Sequence, residues 1–300
     1  PWGSRDYISE LGALWSEAFA GLAVGTTQRQ RWVQSAEEQA GRAWRRGFTP
    51  HFVLDGVLPA SWLRSVAGEI AEGVADDNGC LQTGAKWDCF SLDADDAHQQ
   101  RAKNQIDGTA ENEGSLGPAT QMLLAFLRSP TWISLLEGSL GVDGLVPDPA
   151  MLGSGVHSTV PGGHLKLHVD FNFNSMTRLH RRVNLFVYLN EDWEEDFGGH
   201  LELWNRNLTG CGARVLPVLG RVLAFRTTDF SYHGHPHPLS APPGRSRRSI
   251  AMYYYTRDRP RFECFKGSCR EPHNTIWGRV DCGRCRGECC AQSCGQGPAK

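Results

Sequence analysis

The run Gly163-His164-Leu165-Lys166-Leu167-His168-Val169-Asp170-Phe171 has residue types and spacing suited to holding a metal ion. Leu165, Leu167 and Val169 alternate with Lys166, His168 and Asp170, the two-residue period of a half-buried strand. On such a strand His168 and Asp170 share a face, about 6.5–7 Å apart along the backbone. An imidazole nitrogen and a carboxylate oxygen so placed can meet one divalent ion roughly 2 Å from each. An isolated pair of this kind is more often a buried histidine bonded to its neighbour, so the residues downstream decide its meaning.

Downstream, Arg221 to Gly234 reads as a second strand with a polar end, and it supplies another histidine. Three compete there: His233, His235 and His237. Pro236 and Pro238 cannot donate ladder bonds and mark a departure from regular strand, which leaves His233 as the last strand residue and His235 and His237 in a loop. Two histidines and one carboxylate on one side of a metal form the facial triad of non-haem Fe(II) oxygenases, with positions left open for substrates. After a Pro- and Gly-rich loop, the cluster Arg245, Arg247 and Arg248 opens the apolar strand Ile250–Tyr255. The planar fork of an arginine grips a carboxylate with two parallel bonds, which suits a dicarboxylate cosubstrate.

With these residues in place, the chain resembles the 2-oxoglutarate- and Fe(II)-dependent dioxygenases of the prolyl 4-hydroxylase type. The resemblance runs from about Phe52 to Arg259. It takes in Phe52–Pro59, the strand Val183–Asn190, Phe197-Gly198-Gly199-His200-Leu201-Glu202-Leu203, the His233-Gly234 corner and Arg247-Arg248-Ser249-Ile250. It implies that His168, Asp170 and His233 hold Fe(II), and that 2-oxoglutarate and dioxygen take the remaining positions. The family places a basic residue three positions before an aliphatic, and Ile250 makes that residue Arg247. Collagen-type relatives usually carry lysine there, and the gap from His233 to Arg247 is longer than usual, so Arg245 and Arg248 are alternates. Strand alternation turns Arg248 away from Arg247, toward solvent. Tyr188 falls at the position whose hydroxyl helps hold the far carboxylate of 2-oxoglutarate. Asn184 and Phe186 share its face, and a buried amide such as Asn184 needs partners, which marks it as a further cosubstrate-binding candidate. The implied reaction hydroxylates a C–H bond and releases succinate and carbon dioxide, with ascorbate keeping the iron reduced.

The elements that must position these groups are mostly short strands. From Ala150 onward they read as Met151–Thr159, His164–Phe171, Arg182–Leu189, His200–Trp204, Arg214–Val218, Arg221–Arg226 and Ser249–Thr256, with a corner at Gly162-Gly163. That many short strands imply a two-sheet barrel or jelly roll. The fold class is therefore α+β with a mainly β core, and the resemblance makes it a double-stranded β-helix braced by N-terminal helices. The helices read as Ser4–Leu22, Gln28–Arg46, Ala60–Val74, Thr120–Leu127 and Trp132–Leu140, the arginines of the second forming a solvated face. The polar stretch Asp76–Gly117 reads as long loops with one short strand near Trp87–Leu92, a lid or a surface insertion. Trp204, Arg182 and Tyr253–Tyr255 are candidates for shaping the substrate opening, with core packing as the plainer account of the aromatics.

Three segments follow: a helical extension over residues 1–47, the dioxygenase domain over 48–260 and a cysteine-rich tail over 261–300. Seven of the ten cysteines crowd that tail. Zinc, a disulfide knot and a loosely ordered tail are the three readings, and the last is the expectation. A formal net charge of -2 gives no bulk attraction to nucleic acid and disfavours a nucleic-acid demethylase. No apolar run reaches the roughly 20 residues of a membrane span. No secretory pattern is visible, which slightly favours the cytoplasm. The expected partner is a peptide, with a peptidyl proline as the acceptor. A small metabolite such as a free amino acid or sugar derivative is the alternative, and a non-catalytic binding barrel the remote one.

Overall fold

The computed structural model describes residues 4–70, 74–75, 80–82, 88–90, 100–267, 269 and 272–294. Eight strands are hydrogen-bonded side by side in the order His51–Leu54, Val222–Arg226, Leu179–Tyr188, Arg247–Thr256, Gly155–Val169, His233–His235, Leu201–Trp204 and Cys211–Val215. Each pairing is antiparallel. Gly155–Val169 belongs to both halves of this order: its start pairs with Arg247–Thr256 and its end with His233–His235. The sheet thereby folds over into a nearly closed barrel, the expected double-stranded β-helix.

Alternation along the strands separates two cores. Val183, Leu185, Val187, Val222, Ala224, Ile250, Met252 and Tyr254 point out and pack beneath the helices. Phe186, Tyr188, Leu223, Phe225, Ala251, Tyr253 and Tyr255 point into the barrel, against Leu201, Leu203 and Val215. The brace consists of Arg5–Leu22, Thr27–Arg45, Ala60–Glu69, Pro118–Leu127 and Pro130–Leu140. Ser4 and Thr26 cap the first two helices, each accepting from the backbone N–H three residues on. Not all arginines of Thr27–Arg45 are solvated. Arg29 is buried and donates to the carbonyls of Leu22 and Thr131 and to Ser134 Oγ, tying three segments together.

Four expectations need correction. The Gly162-Gly163 corner is absent: Gly155–Val169 is one strand of 15 residues, and the glycines lie where its pairing register shifts. The segment Arg221–Gly234 is two strands, so His233 begins a short strand instead of ending a long one. Within the polar stretch, Gln100–Asp107 is an eight-residue strand paired along Gly155–Val169, while Asp88–Phe90 matches the short strand expected nearby. Residues 76–79, 83–87 and 91–99 of that stretch lie outside the described set, and that part of the lid reading lies with them.

The last correction concerns the tail. All ten cysteines are paired: Cys80–Cys89, Cys211–Cys289, Cys264–Cys269, Cys282–Cys294 and Cys285–Cys290. The odd cysteine of the tail is resolved by Cys289, which reaches back to Cys211 on a barrel strand. Ile276–Trp277 adds to the sheet beside Val169 and His168, and the helix Glu288–Ser293 follows. Over its described residues this segment is an arm folded onto the barrel.

Candidate active site

The register of the strands brings the metal-binding candidates together. His233 pairs directly with His168 across two antiparallel strands, and Asp170 follows just beyond the strand end. His168 Nε2 lies 3.5 Å from Asp170 Oδ1, and His233 Nε2 lies 3.4 Å from Asp170 Oδ2. Neighbouring ligands bound at about 2.1 Å stand roughly 3 Å apart, so a small contraction suffices to close the site on an ion. Among the described residues this is the one group of three or more His, Cys, Asp or Glu with ligand atoms mutually within 4.8 Å.

The surroundings fix the chemical state of the donors. His168 Nδ1 meets the carbonyl of Lys166 at 2.9 Å, and His233 Nδ1 meets that of Ser231 at 3.0 Å. A carbonyl only accepts, so each Nδ1 carries the proton and each Nε2 keeps its lone pair for a metal. Burial, then the neighbouring His168, pulls His233 down to about 4, which keeps it neutral. Burial alone would raise the Asp170 carboxyl, but Arg181, His233 and His168 hold it well below the usual carboxylate range. This donor set fits Fe(II): two imidazoles whose Nδ1 atoms are engaged by carbonyls, and one ionised carboxylate.

Asn184 is buried beside the triad. Its Nδ2 donates to Asp170 Oδ2 at 2.7 Å, and its Oδ1 accepts from Arg181 Nε at 2.8 Å. The amide thus holds the candidate metal-binding carboxylate. Arg181 Nη2 adds a 3.1 Å ion pair to the same oxygen while its guanidinium lies over the Tyr253 ring. Sequence reading named Arg182 at the opening and missed Arg181. One extra residue is accommodated where Leu179–Tyr188 pairs with Arg247–Thr256: Tyr254 faces Val183, but Tyr255 faces Arg181. That bulge exchanges the faces of the two arginines. Arg182 instead points away to Thr256 Oγ1 and Glu263. Trp204 is also away from the opening, fully buried with its Nε1 bonded to Glu202.

Arg247 and Tyr188 meet inside the barrel, Nη2 to hydroxyl, at 3.4 Å. Arg247 Nε donates to the carbonyl of Gly199 at 2.7 Å, which steers the guanidinium inward. Burial raises the Tyr188 phenol, with Arg247 acting against it, so the phenol stays protonated and able to donate. Arg248 takes the opposite face as expected, but instead of reaching solvent it donates to the carbonyls of Ala67 and Ile70 at the end of a helix. Arg245 bonds backbone carbonyls at Glu191 and Asp192.

Triad, Asn184, Arg181 and Arg247 line one cavity of about 120 Å³, together with Lys103, Thr159, Phe186, Tyr253, Thr275 and Trp277. His235, set aside in the sequence, also lines it, as does His157. His235 is a buried strand residue, since the bulge opposite Leu165 keeps this short strand paired despite the prolines beyond it. His157 lies on the inner wall, its Nε2 bonded to the carbonyl of Gly153. The Trp277 ring lies 5.1 Å from that of His168 and closes one side.

Residues 154–255, which carry all of the triad as well as Arg247, Tyr188 and Asn184, match the family model of the 2OG-Fe(II) oxygenase superfamily. This segment is a 2OG-Fe(II) oxygenase domain. The chain thus carries a 2-oxoglutarate-dependent dioxygenase domain, of a family whose cofactors are Fe(II), 2-oxoglutarate and dioxygen, and the His168, Asp170 and His233 group fits the metal. Comparison with curated proteins gives no match. Among solved structures the fold resembles a prolyl hydroxylase from Trichoplax adhaerens, in complex with a hypoxia inducible factor oxygen degradation domain peptide fragment. Identity is 20%, coverage is 78% of this chain and 94% of that one, and the TM-score is 0.51. A Pseudomonas putida prolyl-4-hydroxylase matches at 20% identity over 76% of this chain and 100% of its own, with a TM-score of 0.47. HygX from Streptomyces hygroscopicus, solved with nickel and 2-oxoglutarate, matches at 12% identity over 73% and 86%, with a TM-score of 0.42.

Proposed function

We propose that this dioxygenase hydroxylates a peptidyl proline and releases succinate and carbon dioxide. The observation that carries the reading is a small charged cavity that adjoins a larger cleft. Trp277 belongs to both: it also lines a cleft of about 770 Å³, with Lys166, Leu167, Pro236, His237 and Arg279 among others. The inner cavity suits a compact dicarboxylate, and the outer cleft has room for an extended chain. The Trichoplax relative was solved with a peptide, which supports the same choice. A free amino acid or sugar derivative is the second reading, favoured by the closeness of polar groups around the triad.

His168, Asp170 and His233 hold the iron in this scheme, Asn184 and Arg181 keep Asp170 ionised and oriented, and Arg247 with Tyr188 holds the far carboxylate of 2-oxoglutarate. When bound, the iron couples decarboxylation of the cosubstrate to oxidation of a C–H bond, with ascorbate as reductant. The residues supply geometry and exclude water, Trp277 covering His168 and Phe186 walling the interior. Five disulfides suit a compartment oxidising enough to keep them, contrary to the cytoplasmic expectation. None of the described helices is long and apolar enough to cross a membrane.

The test is succinate release with Fe(II) and 2-oxoglutarate, with and without proline-containing peptides. Peptide-stimulated succinate together with hydroxyproline in the peptide is expected. Stimulation by free amino acids alone selects the second reading. His168→Ala is expected to abolish turnover while leaving the fold intact, and turnover at the wild-type rate in that variant refutes the triad.

A further inference from the structure

We propose that Lys103 is a second cationic anchor for the dicarboxylate cosubstrate, acting with Arg247 across Thr159; this rests on the cosubstrate reading above. Register carries the argument. Arg247 pairs with Thr159 on one side of Gly155–Val169, and Lys103 pairs with the same Thr159 on the other. Residues directly opposite one another on antiparallel strands share a face. Two strand spacings put the backbones of Lys103 and Arg247 roughly 10 Å apart, a gap that two long side chains close over the threonine between them. All three residues line the cavity that holds the triad.

Charge points the same way. Asp170 is the one carboxylate among the described lining residues, and Arg181 is ion-paired with it. Arg247 and Lys103 are the two further cations in the lining. Lys103 Nζ donates to Gln105 Oε1 at 2.9 Å, and Gln105 Nε2 donates in turn to Asp107 Oδ1 at 3.2 Å. Burial lowers Lys103 to about 8, opposed by Asp170 and Asp107, which leaves it mostly charged at neutral pH. A ligand carboxylate over Thr159 meets both cations, and hydrogen bonds between ionised groups are the stronger kind. Lys103 lies outside the segment that matches the family model, on a strand whose sequence had read as loop.

The experiment is calorimetric titration of the full chain, loaded with Mn(II), with 2-oxoglutarate. Lys103→Met is expected to raise the Kd for 2-oxoglutarate about tenfold or more, as for truncation of one partner of a buried charge contact, with Mn(II) affinity unchanged. Lys103→Arg is expected to restore most of the loss. Arg247→Met separates the two levels of the argument. If it weakens binding and Lys103→Met does not, the lysine proposal is overturned alone. If neither variant changes the Kd, or the wild type takes up no 2-oxoglutarate, the cosubstrate reading falls with it. Should Lys103→Met not fold, Thr159→Val removes the hydroxyl between the two cations at nearly constant shape. A severalfold weaker affinity is expected there, and an unchanged one overturns the proposal.

Discussion

At the scale of single residues, the site depends on side chains that hold the triad and Arg247 in place. Asn184 binds Asp170 Oδ2 with its donor end and Arg181 with its acceptor end, so a single amide links the metal carboxylate to its neutralising cation. Asn184→Ala is therefore expected to lower Mn(II) affinity about 10–100-fold, the usual cost of losing an outer-shell partner, and metal titration checks it. Gly199 works through shape. Its φ is +72°, and a methyl group there would stand 2.6 Å from Leu239 Cδ2 and 2.9 Å from Arg247 Cδ. Gly199→Ala should displace the Arg247 stem and cost about 1–3 kcal/mol of stability. Expected readouts are a lower Tm and weaker 2-oxoglutarate binding with Mn(II) affinity retained. Gly234 has a similar role beside His233, since a side chain there would meet the carbonyls of Leu165 and Lys166 below 3 Å. The His-Gly pair seen in the sequence is thus a proposed ligand followed by a close approach of two backbones.

At the scale of elements, legibility in the sequence follows periodicity. The triad strand and the strand bearing Tyr188 alternate cleanly, and their inward faces can be read without coordinates. Bulges break that reading, which is how Arg181 was hidden behind Arg182. Gln100–Asp107 was hidden for another reason: it is polar, and its partner strand lies about 50 residues away, so nothing local marks its pairing. Cysteine connectivity is likewise long-range, as the link from Cys211 to Cys289 shows. The arm after Pro260 is fastened near the site by a buried polar network. His273 Nε2 is 3.1 Å from Asp229 Oδ1, His273 N–H donates to Asn172 Oδ1, and Arg259 pairs with the same aspartate. Burial opposes the charged imidazole, but Asp229 outweighs it and raises His273 above its ordinary value. The folded state therefore holds this proton more tightly than the unfolded chain does. The contribution is fully present below about pH 6.5 and is lost as pH rises through the folded value. Backbone amides of residues 272–277 are expected to exchange faster above that range than below it, after correction for intrinsic rates. His273→Gln should remove the dependence.

At the scale of the molecule, one sheet carries two separate duties on its two faces. The outward side chains of Leu179–Tyr188 and Arg247–Thr256 meet the helical brace, and the inward ones build the cavity. Leu185 and Phe186 are adjacent in sequence yet belong to different cores, Leu185 fully buried beneath the helices and Phe186 lining the cavity. Truncating either leaves a hole, but the holes open onto different parts of the protein. Leu185→Ala is expected to cost about 2–5 kcal/mol of stability, with 2-oxoglutarate affinity unchanged below the shifted melting transition. Phe186→Ala should destabilise the protein as well, but it removes a wall beside the triad, next to the rings of Tyr188 and Phe225, and so should also weaken 2-oxoglutarate binding. Chemical denaturation and calorimetric titration of the two variants side by side check the division. A loss of cosubstrate affinity in Leu185→Ala equal to that in Phe186→Ala would show that the brace sets the geometry of the cavity through the sheet, and that the two faces are mechanically one.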